Sequence, residues 1–105
     1  MTQPITAAMK AAHLHALATL YFEDGQTERS LVLLMFAILL MPDDPRILKS
    51  LAVVTLATGA PARALKIIEL LQTSGAVEAG ELEMLRKRAR WLEGRTENAD
   101  VRVQT

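Results

Sequence analysis

The sequence predicts an all-α protein: two helix-turn-helix repeats followed by a C-terminal capping helix. Three observations carry that prediction. The first is a period: Leu14, Leu17, Ala18, Gly25, Ser30, Leu31 and Leu34 are answered thirty-four residues later by Leu48, Leu51, Ala52, Gly59, Ala64, Leu65 and Ile68. Self-similarity at that spacing is the signature of a helix-turn-helix unit. Tyr21, Ala37 and Pro42 have weaker or no counterparts, at Thr55, Leu71 and Ala76. The second is composition, in which half of the 105 residues are hydrophobic but only four are aromatic. The core must therefore be aliphatic, and the abundant Leu, Ala, Met, Glu and Arg are good helix formers. The third is that no stretch alternates apolar with polar residues over a strand's length, so no sheet is expected. A chain this short builds one modest core, and residues 1–95 form the single expected domain.

The first helix is expected to start after Pro4, near Thr6, and to run to Phe22 or Glu23 with Leu14, Leu17, Ala18 and Tyr21 on one stripe. Gly25 ends it within the turn Asp24-Gly25-Gln26. Thr27 then caps a second helix over 28–41, with Glu28 well placed at its positive end. The run Met41-Pro42-Asp43-Asp44-Pro45 permits only a connection, because two prolines interrupt the helical donors. Asp44 is the N-cap of a third helix with Pro45 at its first position, where the missing N–H costs nothing. That helix should reach Thr58. Gly59-Ala60 turns the chain, and Pro61 opens a fourth helix through Ala64, Leu65, Ile68 and Leu71 to Thr73, stopped by Ser74-Gly75.

A fifth helix is expected from Glu78 or Glu81 to Gly94, with Leu82 and Leu85 continuing the repeat positions. Its Glu81, Glu83, Arg86, Lys87, Arg90 face suits a cap whose outer side meets water, as the end of a helical solenoid requires. Residues 96–105 hold two valines among polar and charged residues, too little apolar surface to bury, and are expected to be a mobile tail.

Twelve basic residues balance twelve acidic ones, so no whole-molecule field draws the chain to nucleic acid or an anionic membrane. The local cluster Arg86, Lys87, Arg88, Arg90 reads as a solvated helix face, since nucleic-acid modules carry a larger basic excess. Without cysteine there is neither disulfide nor thiolate chemistry. The N-terminus lacks the basic and apolar regions of a signal peptide. The longest apolar run, Leu31 to Met41, is shorter than the roughly 20 residues that a membrane span needs.

His13 and His15 point to different sides of a helix and cannot share a metal ion, and the Asp43-Asp44 pair is explained by capping beside Pro45. The five glycines are scattered as helix punctuation and form no phosphate cradle. Ser30, Ser50 and Ser74 have no evident base and orienting group. No metal, no cofactor and no enzymatic activity are therefore expected.

In the first copy, Ala18, Tyr21, Gly25, Ser30, Ala37 and Pro42 meet the pattern of the tetratricopeptide repeat, which the chain resembles. In such a fold the first helix of each repeat lines a concave groove. That assigns His15, Thr19 and Phe22 from helix one, Lys49, Val53, Leu56 and Ala57 from helix three, and Lys87, Arg90 and Trp91 from helix five. Phe22, Val53, Leu56 and Trp91 would form an apolar floor with basic residues at the rim, suited to an amphipathic helix of a protein partner. Trp91 is either the aromatic anchor of that interface or a residue packing helix five on helix four.

Helix two carries an apolar surplus. Ser30, Leu31, Leu34, Ala37, Ile38 and Met41 satisfy the core, yet Val32, Leu33, Met35, Phe36, Leu39 and Leu40 leave it apolar all round. Either this helix is central in the bundle, or Val32, Met35, Phe36 and Leu39 form a second interface, with a partner or with a second copy.

The run DGQTERSLVLLMFAILLMPDD, followed by LATGAPARALKIIELL, resembles the small tetratricopeptide-like chaperones of bacterial type III secretion systems. Two kinds match in size: YscY-like chaperones of an early export substrate, and YscG-like chaperones that hold the needle subunit with a small co-chaperone. Gly25, Glu28, Arg29 and Pro42 match the former's Gly-x-x-Glu-Arg turn and the proline that ends its second helix, and RARWLEGR, residues 88–95, falls where a third repeat begins. The resemblance implies a bacterial cytoplasmic chaperone that shields an amphipathic helix of a dedicated export client until secretion, without nucleic acid or a membrane span. The alternative is a repeat-type adaptor or homodimer with no export role.

Overall fold

The computed structural model describes residues 5–104, with side chains for 5–95. The helices are α1 (Ala7–Glu23), α2 (Thr27–Leu40), α3 (Pro45–Ala57), α4 (Pro61–Ser74) and α5 (Ala79–Gln104), and no strand occurs among the described residues. Each helix packs on the next, while α1 also touches α3 and α3 touches α5. The fold is thus all-α, with helix pairs α1/α2 and α3/α4 stacked in a row and α5 laid on the second pair. The mobile tail expected at 96–105 lies outside the residues whose side chains are described.

The thirty-four-residue period reappears in the backbone bonding of the two intra-repeat turns. Gly25 takes a φ of 79° and Gly59 one of 82°, the left-handed region that a Cβ disfavours. The Gln26 N–H donates to the Tyr21 carbonyl at 2.8 Å and the Ala60 N–H to the Thr55 carbonyl at 3.1 Å. Gly25 and Gly59 donate in the same way to Phe22 and Leu56, at 3.1 and 3.0 Å. Each turn therefore satisfies the last carbonyls of one helix while leading directly into the next.

Small residues set the spacing within each pair. Ala18 and Ser30 in the first repeat, and Ala52 and Ala64 in the second, are fully buried, so the paired helices approach closely. The Ser30 hydroxyl donates to the Ala18 carbonyl at 2.7 Å, a bond the second repeat lacks because Ala64 stands there. Around these contacts lie two apolar clusters: Ala11, Leu34, Ala37, Ile47, Leu51 and Val54 join α1, α2 and α3, while Leu48, Leu56, Ile68, Leu71, Leu82 and Ala89 join α3, α4 and α5. Ile38 and Ile67 pack against both.

Three local expectations need correction. Thr27 is the first residue of α2 and not its cap: Gln26 occupies the cap position and makes no side-chain capping bond. The tight turn leaves only Asp24, Gly25 and Gln26 between the helices, and the Gln26 amide instead donates to the Asp24 carboxylate at 2.7 Å. Gly94 does not end α5, since it has no positive φ and no proline follows it. Asp44 caps α3 as expected, accepting from the Arg46 N–H at 2.9 Å with Pro45 opening the helix, and Thr6, near which the first helix is expected to start, caps α1 by accepting from the Met9 N–H at 3.1 Å. The third correction concerns Leu56, which is only 4% exposed within the α3/α4/α5 cluster and forms no groove floor.

Candidate functional site

Stacking α1 beside α3 leaves a cavity of about 360 Å³ between them, floored by α2. The apolar side of its wall comes from Phe22, Leu34, Val53 and Val54, and the polar side from His15, Thr19, Arg46, Lys49 and Ser50. Helical spacing explains the arrangement. His15, Thr19 and Phe22 recur at i, i+4 and i+7 on α1, and Arg46, Ser50 and Val53 do the same on α3, so each helix presents one stripe to the same space. The cavity has room for a few apolar side chains, and its rim carries the cations Arg46 and Lys49, each beside a carboxylate.

That rim is tied together by hydrogen bonds. His15 Nε2 and Ser50 Oγ share a hydrogen bond of 2.7 Å that links α1 to α3. Lys49 Nζ donates to Glu81 Oε1 at 2.7 Å and links α3 to α5. Arg46, mostly exposed, lies 3.6 Å from Asp44. The imidazole and hydroxyl stand as a base and a nucleophile would. Ser50, however, lies inside α3, where the neighbouring backbone N–H groups are committed to the helix and cannot receive an oxyanion. The pair serves as an interhelical tie.

The structure brings His15, Thr19, Phe22, Lys49 and Val53 together. Ser30, Leu34, Arg46, Ser50 and Val54 complete the wall and were not expected there, although Ser50 and Arg46 share the i, i+3, i+4 stripe of Lys49 and Val53. Ala57 is exposed one turn past the cavity. Lys87, Arg90 and Trp91 on α5 do not reach it. Trp91 is 59% exposed and the Arg95 guanidinium lies 5.0 Å from its ring centroid, so the indole neither floors the cavity nor packs α5 on α4. The reason is register. Thirty-four residues beyond Ala52 stands Arg86, whose guanidinium donates to Gln72 on α4 at 2.6 Å and to Glu83 at 3.0 Å. The small buried residue of α5 is Ala89, three positions later.

The second candidate surface is the outer side of α2. Ser30, Leu34 and Ala37 face the core, with Leu31, Leu33, Ile38 and Met41 packed at its margin. Val32, Met35, Phe36 and Leu39 are each more than half exposed. Of the two readings of the apolar surplus, the helix is therefore not enclosed by the bundle. Beside this stripe an open hollow of about 490 Å³ is lined by Tyr21, Glu28, Arg29, Val32 and Leu33.

Among the described residues no group of three or more His, Cys, Asp or Glu side chains is placed to hold a metal ion, and no helix is long and apolar enough to cross a membrane. The chain matches no family model, no curated protein and no solved structure.

Proposed function

We propose that the chain is a binding module, a type III secretion chaperone of the bacterial cytoplasm that shields an amphipathic helix of one dedicated export client. The observation that carries this reading is the α1/α3 cavity, in which Phe22 and Val53, backed by the buried Leu34 and Val54, present apolar surface beneath a rim of His15, Arg46 and Lys49. An apolar wall with polar groups at its edge suits one face of a partner helix, the anchors seated inside and acidic groups meeting the rim. Hiding that face before export would keep the client from polymerising. Binding is preferred to catalysis because Ser50 sits mid-helix, so that no backbone N–H beside its hydroxyl is free to receive an oxyanion. The link to secretion rests on the Gly25, Glu28, Arg29 and Pro42 pattern and on the size of the chain.

The test is co-expression with small helical secretion proteins, followed by affinity capture and mass determination. One stoichiometric partner is expected. Val53→Asp, which sets a carboxylate in the apolar wall, should abolish capture while the circular dichroism stays helical, and Trp91→Ala should leave capture intact. A client retained by Val53→Asp would remove the cavity as the site.

A further inference from the structure

Among the described residues the outer side of the first repeat has no helix packed on it, whereas the second repeat is covered by the first. Ile47, Leu51 and Val54 bury the side of α3 that packs on α2. Their counterparts thirty-four residues earlier are His13, Leu17 and Leu20. Leu51 is 9% exposed, whereas Leu17 is 43% exposed and Leu20 more so, because none of the described helices covers them. This open end continues onto α2 as the stripe Val32, Met35, Phe36 and Leu39. With Leu40, the stripe alone presents on the order of 500 Å² of apolar surface, toward the upper limit of what a soluble monomer shows.

We propose that this end is covered by a second copy of the chain, two first repeats meeting head to head about a two-fold axis that passes between the two α2 helices, level with residues 33 and 34. Three features favour a second copy. The face complements itself: Phe36, 57% exposed, is a projecting ring, and less than two turns back along the same helix lies the hollow lined by Tyr21, Glu28, Arg29, Val32 and Leu33. A two-fold axis between ring and hollow sets the two α2 helices antiparallel and seats each Phe36 in the other copy's hollow, an isologous arrangement that closes on itself. There the Arg29 guanidinium can meet the ring face.

The second feature is charge. Between Ser30 and Met41 α2 carries no charged residue, and the antiparallel arrangement holds the Glu28 and Arg29 groups of the two copies roughly 15 Å from their counterparts. The third is the opposite end of the molecule. On α5, Met84 and Trp91 are exposed only as separate apolar groups among Glu83, Lys87, Arg88 and Arg90, so a head-to-tail stack would press charges onto the apolar head. Head-to-head pairing buries both open ends at once. An apolar core of that size, completed by a polar rim, approaches the roughly 800 Å² per partner of a stable interface.

The experiment is analytical ultracentrifugation of the full chain over a concentration series, with Phe36→Glu alongside. The wild type should sediment near twice the 11.5 kDa of one chain, and Phe36→Glu as a monomer with unchanged helical circular dichroism. Because the chain has no cysteine, Val32→Cys also reports the contact directly. It should form a disulfide-linked dimer under mild oxidation, while Ala62→Cys, exposed on α4, should not. A wild type monomeric up to about 100 μM, a dimer unchanged by Phe36→Glu, or equal cross-linking at positions 32 and 62 would overturn the proposal. A monomer that takes up a foreign apolar helix on α2 would overturn it too. Client capture is a separate readout, since Phe36→Glu should retain it and Val53→Asp should retain the dimer.

Discussion

A buried hydroxyl donating to a buried carbonyl, as Ser30 does to Ala18, holds α1 and α2 at a distance that only small residues permit. Replacing Ala18 by Leu should cost about 1–3 kcal/mol or more, because the added methylenes must push apart a pair of helices already in contact. Ser30→Ala, which copies the residue at position 64, should cost only about 1 kcal/mol. Urea titration followed by circular dichroism measures both. Burial rather than residue type sets the larger effects: Ile68→Ala, at a fully buried site, should lose about 2–5 kcal/mol, and Leu70→Ala, more than half exposed on the same helix, well under 1 kcal/mol. Most buried positions are readable from the period, since Ala18, Ala52, Leu34 and Ile68 all lie in the core. Leu17 is not, because its partner at Leu51 is covered by a helix pair that α1 does not have.

Helix ends are decided by local chemistry, which is why the Gly25 and Gly59 turns, Asp44 with Pro45, and Pro61 can all be placed from residue type alone. Gly25→Ala should destabilise by about 1–2 kcal/mol, as the φ of 79° forces a Cβ toward the carbonyl. Loss of the Asp44 cap by Asp44→Ala should cost about 1 kcal/mol, measured by the same titration. The register of α5 was beyond such reasoning. Leu82 and Leu85 keep the spacing and face the core, but the close-contact position belongs to Ala89 and not to the residue thirty-four after Ala52. A half-buried Arg86 satisfied by Gln72 and Glu83 is a solution that periodicity does not encode, and it carries Lys87, Arg90 and Trp91 away from the cavity.

Taken whole, the molecule is a short solenoid whose two ends differ, one apolar and one charged. Cavity and open end lie on different sides of α1 and α2, so a client and a second copy would not compete. If the first repeats pair, the thermal midpoint should rise with protein concentration, since dissociation and unfolding are then linked. Phe36→Glu should remove that dependence. The Lys49–Glu81 ion pair that ties α3 to α5 adds little by comparison: both side chains are well exposed, and Lys49→Ala should lower stability by less than about 1 kcal/mol. The concave wall was only partly foreseeable, because α1 and α3 follow the repeat while the third member of the groove does not.

The position of the lone indole has an optical consequence. Trp91 lies in water on α5, away from the cavity and from the outer side of α2, with a guanidinium over its ring. Its emission in the native chain should already lie close to that of free tryptophan in water, and seating a tryptophan-free helix in the cavity should leave it in place. A blue shift on adding such a partner would therefore report cover over α5 itself, a surface to which nothing else here assigns an occupant.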